Sequence, residues 1–199
     1  MSNGAPAGGA AASGAAAAAA VQTPIHKKYD VKSGIIKFEV KDMSGTRQEI
    51  VYFDDYGTKE RIETYKPDGN LRETRFTDGQ KMYVINEYTP PNTAYIMTEH
   101  ATNGTEMRFD KEGFQPEQKE KYKYQDKPDM TVAGKNCSAY YMETDYGKAI
   151  FAGWSHITLY HSQETPYGNI LKQAVSLEEN AGIPADKFAV PAGYEVKSQ

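Results

Sequence analysis

Two neighbouring stretches, "SGIIKFEV" (residues 33–40) and "RQEIVYFDDYG" (residues 47–57), decide the fold class of this chain. In the first, Ile36, Phe38 and Val40 alternate with Lys37 and Glu39. A period of two belongs to a strand with one face on a core and one in water. The second is a run of β-branched and aromatic residues that halts at Asp-Asp-Tyr-Gly, a turn composition. Outward from this pair the texture repeats in "KERIETYKPDGN", "LRETRFTDGQ", "KMYVINEYTPPN", "TAYIMTEHATNG" and "TEMRFDKEG". Turn signals recur about every 8–12 residues, which marks a meandering antiparallel sheet. Asp68-Gly69, Asp78-Gly79 and Asn103-Gly104 are hairpin dipeptides, and a type I′ turn is expected at each, with φ > 0 at both central residues.

Residues 115–129 are charged, bounded by proline and polar all round, so they read as one exposed helix from Pro116 or as a loop. "NCSAYYMET" and "KAIFAGWSHITLYH" are further strands. "NILKQAVSLEEN" fits a helical face or a short strand equally well, "PADKF" reads as one helical turn, and "AVPAGYEVK" closes the chain. The fold expected is mainly β: a curved antiparallel sheet or half-barrel with one or two short helices.

Residues 1–20 are almost wholly Ala, Gly and Ser. Such side chains bury too little surface to offset chain entropy, so residues 1–28 read as a disordered tether and residues 29–199 as a single antiparallel β domain. The tail has neither the basic n-region nor the apolar h-region of an intact signal peptide. Across 199 residues the net charge is −4, which gives no general basic field for nucleic acid. One cysteine excludes an internal disulfide and cysteine-rich zinc sites. Fifteen tyrosines, each with an apolar body and a polar tip, suit amphipathic sheet surfaces.

Little here carries reaction chemistry. Cys137 shares strand parity with Ala139 and Tyr141 and has no Cys-His signature around it, so it reads as a small buried residue. Of the four histidines, His26, His100, His156 and His161, the last two are five apart and fall on opposite faces of a strand. No metal site follows. Adjacent Asp54 and Asp55 diverge on a strand and suit a turn better than a paired acid and base. "NGT" at 103–105 and "NCS" at 136–138 match the glycosylation acceptor only as three-residue patterns. No glycine-rich phosphate loop or nucleophile motif is present, and no cofactor is implied.

"VAGKNCSAYYME", "GWSHITLY" and "IPADKFAVPAGYEVK", with the opening "YDVKSGIIKFEV…YFDDYGTKE", resemble a domain-of-unknown-function family of envelope proteins from Bacteroides-type bacteria. The resemblance covers residues 29–197. Its members resemble in fold the LolA-like lipoprotein carriers, whose curved half-barrel encloses an apolar cavity. The resemblance implies a non-enzymatic protein exported to the periplasm or outer membrane, with Cys137 in a core strand. It also implies that Met1 stands in place of a lipidated cysteine, or follows a removed signal, so that contact with the membrane is made only through an N-terminal lipid anchor. One departure is visible: no strongly apolar helix is available to plug the open side of a half-barrel.

"EIVYF", "MYVI" and "AYIM" put apolar or aromatic side chains on both faces of their strands. Such a sheet needs two covers: its own curl, the C-terminal segment, or a bound molecule. The expectation is a partly open apolar surface lined by Phe38, Val51, Phe53, Tyr83, Ile85, Tyr95 and Met97, binding a lipid or other apolar ligand or an envelope protein. The alternative is a structural module that docks a partner through a tyrosine-rich sheet face. An enzyme whose site assembles only in three dimensions is the third reading.

Overall fold

The structure, a computed structural model, describes residues 27–98, 106–145 and 147–198. Residues 1–26, with His26 and most of the expected tether, lie outside the described residues, as do His100 and Asn103-Gly104. Among the described residues twelve strands form one open curved sheet: β1 (Gly34–Asp42), β2 (Gly45–Asp54), β3 (Lys59–Tyr65), β4 (Leu71–Thr77), β5 (Met82–Asn86), β6 (Thr93–Thr98), β7 (Gln125–Val132), β8 (Lys135–Thr144), β9 (Gly147–Trp154), β10 (Ile157–Thr165), β11 (Gly168–Glu179) and β12 (Glu195–Ser198). Their order across the sheet is β12-β6-β5-β4-β3-β2-β1-β11-β10-β9-β8-β7. It is two antiparallel meanders, β1–β6 and β7–β11, joined where β1 pairs with β11. The expected mainly β, curved antiparallel sheet is present.

Register assigns the faces, because residues directly opposite each other share one. Ile36, Val51, Ile62, Arg75, Val84 and Tyr95 are successive partners from β1 to β6. In the other direction Val40 faces Lys172, which faces His161, then Phe151, then Tyr140. Ile36, Phe38 and Val40 of β1 tie these two rows into one inner face. The main core gathers Phe38, Val51, Phe53 and Ile62 from it, with Cys137, Ala139, Ala152, Ile157 and Leu159. A second cluster, Phe109, Tyr140, Met142, Ala149 and Phe151, sits further along the inner row.

The chain itself covers part of each sheet face. Residues 27–33 form a strap across one end of the main core, hung on the Asp54-Asp55-Tyr56-Gly57 turn. Lys28 N and Tyr29 N both donate to the Tyr56 carbonyl at 3.0 Å, and Tyr56 N donates to Lys32 O at 2.9 Å. Tyr29 then packs edge-on against Phe53 at 5.0 Å. A Cβ on Gly57, which has φ +84°, would come within 2.6 Å of the Tyr29 ring, so glycine is required there for space and for conformation. Asp54 accepts from the Asp55 amide at 2.7 Å, a local turn role. Lys28, on the tether side of the expected boundary, is buried. On the outer face, Phe76 and Tyr83 stack at 5.1 Å. The C-terminal arm after β11 crosses that face: Phe188 is buried, Arg61 donates to Lys187 O at 3.3 Å, and Lys187 pairs with Glu63 at 3.2 Å.

Several local expectations need correction. Asp68 and Asp78 keep negative φ, and only Gly69 and Gly79 are left-handed, so neither hairpin is type I′. The aspartates act through their side chains: Asp68 accepts from Asn70 N, and Asp78 from Gln80 N and Lys81 N. Residues 115–129 are neither one helix nor a loop. They split into a fully exposed helix, α1 (Pro116–Lys121), and the first half of edge strand β7. The open segment "NILKQAVSLEEN" is strand β11, because β1 and β10 both offer it unpaired edges.

Candidate functional site

The seven residues expected to line one surface are divided by register. Phe38, Val51 and Phe53 are on the inner face and fully buried. Tyr83 and Ile85, opposite Phe76 and Thr74, are on the outer face. Tyr95 returns to the inner face at the far edge, and Met97 on the same strand is 50% exposed. The seven therefore do not converge. Alternation was read strand by strand, and the side of the sheet each strand presents follows only from the pairing.

What does converge is a cavity of about 270 Å³ between the two core clusters, lined by Phe38, Glu106, Met107, Thr158, Tyr160, His161 and Lys172. Residues 106–109 form its roof. Phe109 N donates to His156 O at 2.8 Å, and the Thr158 hydroxyl donates to Met107 O at 3.0 Å, which pins this segment over β10. Among the described residues no helix plugs it. Phe114, Tyr122 and Tyr124, on either side of α1, pack on the second cluster instead.

The polar wall of the cavity is a chain of charges on inner-face positions. Lys172 donates to both Glu106 carboxylate oxygens at 2.9 Å and also pairs with Glu49, while its ammonium lies 4.5 Å from the Phe38 ring centroid. The Glu106 amide donates to Glu60 at 2.9 Å. Glu60, with no exposed surface, also takes hydrogen bonds from Lys28 at 2.8 Å and the Tyr29 hydroxyl at 2.6 Å. Burial alone would lower the Lys172 pKa, but the carboxylates of Glu106 and Glu49 outweigh it and hold the ammonium raised. Burial, with the charges of Glu60 and Glu106 behind it, pushes the Tyr29 hydroxyl up. His161 stacks flat on Phe151 at 4.5 Å, and burial first, then Lys172, lowers its pKa. It is a neutral ring beside a fixed cation.

Of this set only Phe38 was expected. Glu60, Glu106, His161 and Lys172 were missed, although part of the signal was present. Ile157, Leu159 and His161 alternate, as do Glu60 and Ile62, so a polar residue stands at a core-parity position in each strand. The other candidates lie outside this cavity. Cys137 has no exposed surface, and burial raises its thiol pKa. His156 lies in the β9–β10 turn, 3.1 Å from Asp30. Asn136 of "NCS" donates to Asp129 at 3.2 Å. Among the described residues no three metal-ligating side chains converge. The cavity offers one partly buried cation, one carboxylate, that of Glu106, and the His161 imidazole beside the Phe38 ring.

No protein-family model matches the chain, and no curated protein sequence matches it. Solved structures share its architecture. An uncharacterized conserved protein from Thermus thermophilus aligns with a TM-score of 0.60 at 8% identity, over 88% of this chain and 94% of that one. A chain of the Pseudomonas aeruginosa MucA/MucB complex aligns with a TM-score of 0.55 at 12% identity, over 85% of this chain and 59% of that one. A LolA superfamily protein from Nitrosomonas europaea aligns with a TM-score of 0.40 at 8% identity, over 82% of this chain and 92% of that one. At these identities what the first two share with this chain is the fold: a curved, open antiparallel sheet.

Proposed function

We propose that this is a non-enzymatic binding protein of the bacterial cell envelope, exported and tethered through its N-terminal segment. Its curved sheet takes one end of an apolar or amphiphilic ligand in the cavity between Phe38, His161 and Lys172. The observation that carries this reading is the cavity itself: a hollow with an apolar floor and a charged wall, at the junction of two otherwise packed clusters. Its size sets the ligand. About 270 Å³ lies just under the roughly 300–1,000 Å³ of typical small-molecule sites, so it holds a ring or a short chain end and not a whole lipid. Phe53 and Ile85 have no part in it. Of the seven residues expected to line an apolar surface, Phe38 also lines this cavity.

A second reading has its own observation. Met43, Tyr88 and Tyr167 are 79%, 80% and 85% exposed, on the β1–β2, β5–β6 and β10–β11 turns at the same end of the sheet. Exposed aromatic and methionine tips along one rim favour docking of an envelope protein, and a neighbour in this architecture is solved as a complex of two proteins. One experiment separates the readings. A fluorescent hydrophobic probe should bind the native chain and be displaced by short alkyl or aryl amphiphiles. Met107→Trp, which fills the mouth of the cavity, should abolish binding at unchanged melting temperature, while Tyr88→Asp and Tyr167→Asp should leave it intact. Probe binding that survives Met107→Trp, or is absent from the native chain, removes the cavity reading.

A further inference from the structure

The sheet ends on two edges of different character. Edge strand β7 contains Pro128, which has no N–H to offer, and its register slips between Lys127 and Met130. Both features discourage another strand from adding there. The opposite edge, β12, carries neither. Glu195, Val196, Lys197 and Ser198 form a short regular strand with all four side chains exposed. β12 joins the sheet through the one parallel pair among the described strands, with Glu195 opposite Thr93.

The backbone parity of β12 follows from one bond. Glu195 N donates to Asn92 O at 2.8 Å, so the main-chain groups of Glu195 point toward β6. Main-chain groups alternate sides along a strand. Those of Lys197 therefore also serve β6, while those of Val196 and Ser198 face outward and are unpaired in the sheet; the Tyr194 amide is already taken by Pro191 O at 3.1 Å. A strand added antiparallel by a two-fold axis has three registers available, centred on Glu195, Val196 or Lys197. Centring on Glu195 or on Lys197 sets like charges directly opposite each other. Centring on Val196 sets Glu195 of each copy against Lys197 of the other and brings the two valines together. It also lets the outward groups of the two Val196 residues exchange hydrogen bonds, and lets the Ser198 amide donate to the Tyr194 carbonyl of the other copy. Only this register satisfies both backbone and charge.

We propose that β12 is a self-complementary docking edge through which two copies of this chain pair antiparallel, centred on Val196, continuing the sheet across a two-fold axis. The charges choose the register and the exposed main-chain groups hold it.

The test uses the full chain. Sedimentation equilibrium at low salt should show a monomer–dimer equilibrium. Glu195→Lys alone, or Lys197→Glu alone, sets like charges opposite each other and should raise the dissociation constant on the order of tenfold. The double variant E195K/K197E, or a mixture of the two single variants, pairs opposite charges again and should restore wild-type affinity. Val196→Cys should cross-link the dimer on mild oxidation. A hydrogen-bonded antiparallel pair holds its Cα atoms about 5.5 Å apart, within disulfide range, and the buried Cys137 does not compete. A chain monomeric at every concentration, a dimer indifferent to both charge reversals, or a Val196→Cys variant that fails to cross-link overturns the proposal.

Discussion

Lys28 is the perturbation that tests the architecture most directly. It lies at the start of the strap, its Nζ is 2.8 Å from Glu60 Oε1, and neither side chain has more than 3% of its surface exposed. Removing one partner of such a pair strands a buried charge, at about 3–5 kcal/mol. In Lys28→Ala, Glu60 still accepts from the Tyr29 hydroxyl and the Glu106 amide, so the lower end applies, about 3 kcal/mol. For a domain of this size each kcal/mol is worth about 2–4 °C, giving a fall in melting temperature of about 6–12 °C. The matched control is truncation. Removing residues 1–26 takes away none of the contacts described above and should leave the melting temperature unchanged, whereas removing residues 1–28 should reproduce the point variant. Differential scanning calorimetry at neutral pH reads all three. If Lys28→Ala melts within about 1–2 °C of wild type, or the two truncations behave alike, the strap is not a structural element and the reasoning fails.

Two further predictions rest on buried side chains. Cys137→Ala should cost about 1 kcal/mol for the lost sulfur contacts, with ligand binding unchanged, and the native thiol should react with a maleimide far more slowly than a free one. Labelling at the rate of a free thiol would contradict its place in the core. His161 has a folded-state pKa below its ordinary 6.5, so the unfolded chain takes up a proton there first as the pH falls. Its contribution to stability is complete above about pH 6.5 and is lost as the pH falls from there toward the lowered folded value. His161→Phe keeps the stack on Phe151 and should flatten this part of the stability–pH curve by up to one proton, a difference read from urea melts between about pH 7 and 5.

The sequence by itself determined the fold class. Alternation in "SGIIKFEV", and turn residues at regular spacing, are local signals, and strands and hairpins form from local preferences. The burial of Cys137 and the turn role of Asp54 were legible for the same reason. Turn type was less so, because Asp68 and Asp78 bond the following amides through their side chains and leave the left-handed position to glycine alone. Only the tertiary structure decided which face each strand gives to the core. Phe53 and Ile85 read alike along the chain, yet the pairings Phe53–Glu60–Thr77–Met82 and Glu63–Thr74–Ile85 put them on opposite sides. The cavity was invisible for a related reason. Glu60, Glu106, His161 and Lys172 come from distant parts of the chain, and charged residues tolerate burial only beside partners that the fold delivers. The C-terminal arm follows the same logic: its contacts with Arg61 and Glu63 of β3 depend on where β11 ends relative to β1. Periodicity specifies strands, and the hydrogen-bond ladder between them specifies the site.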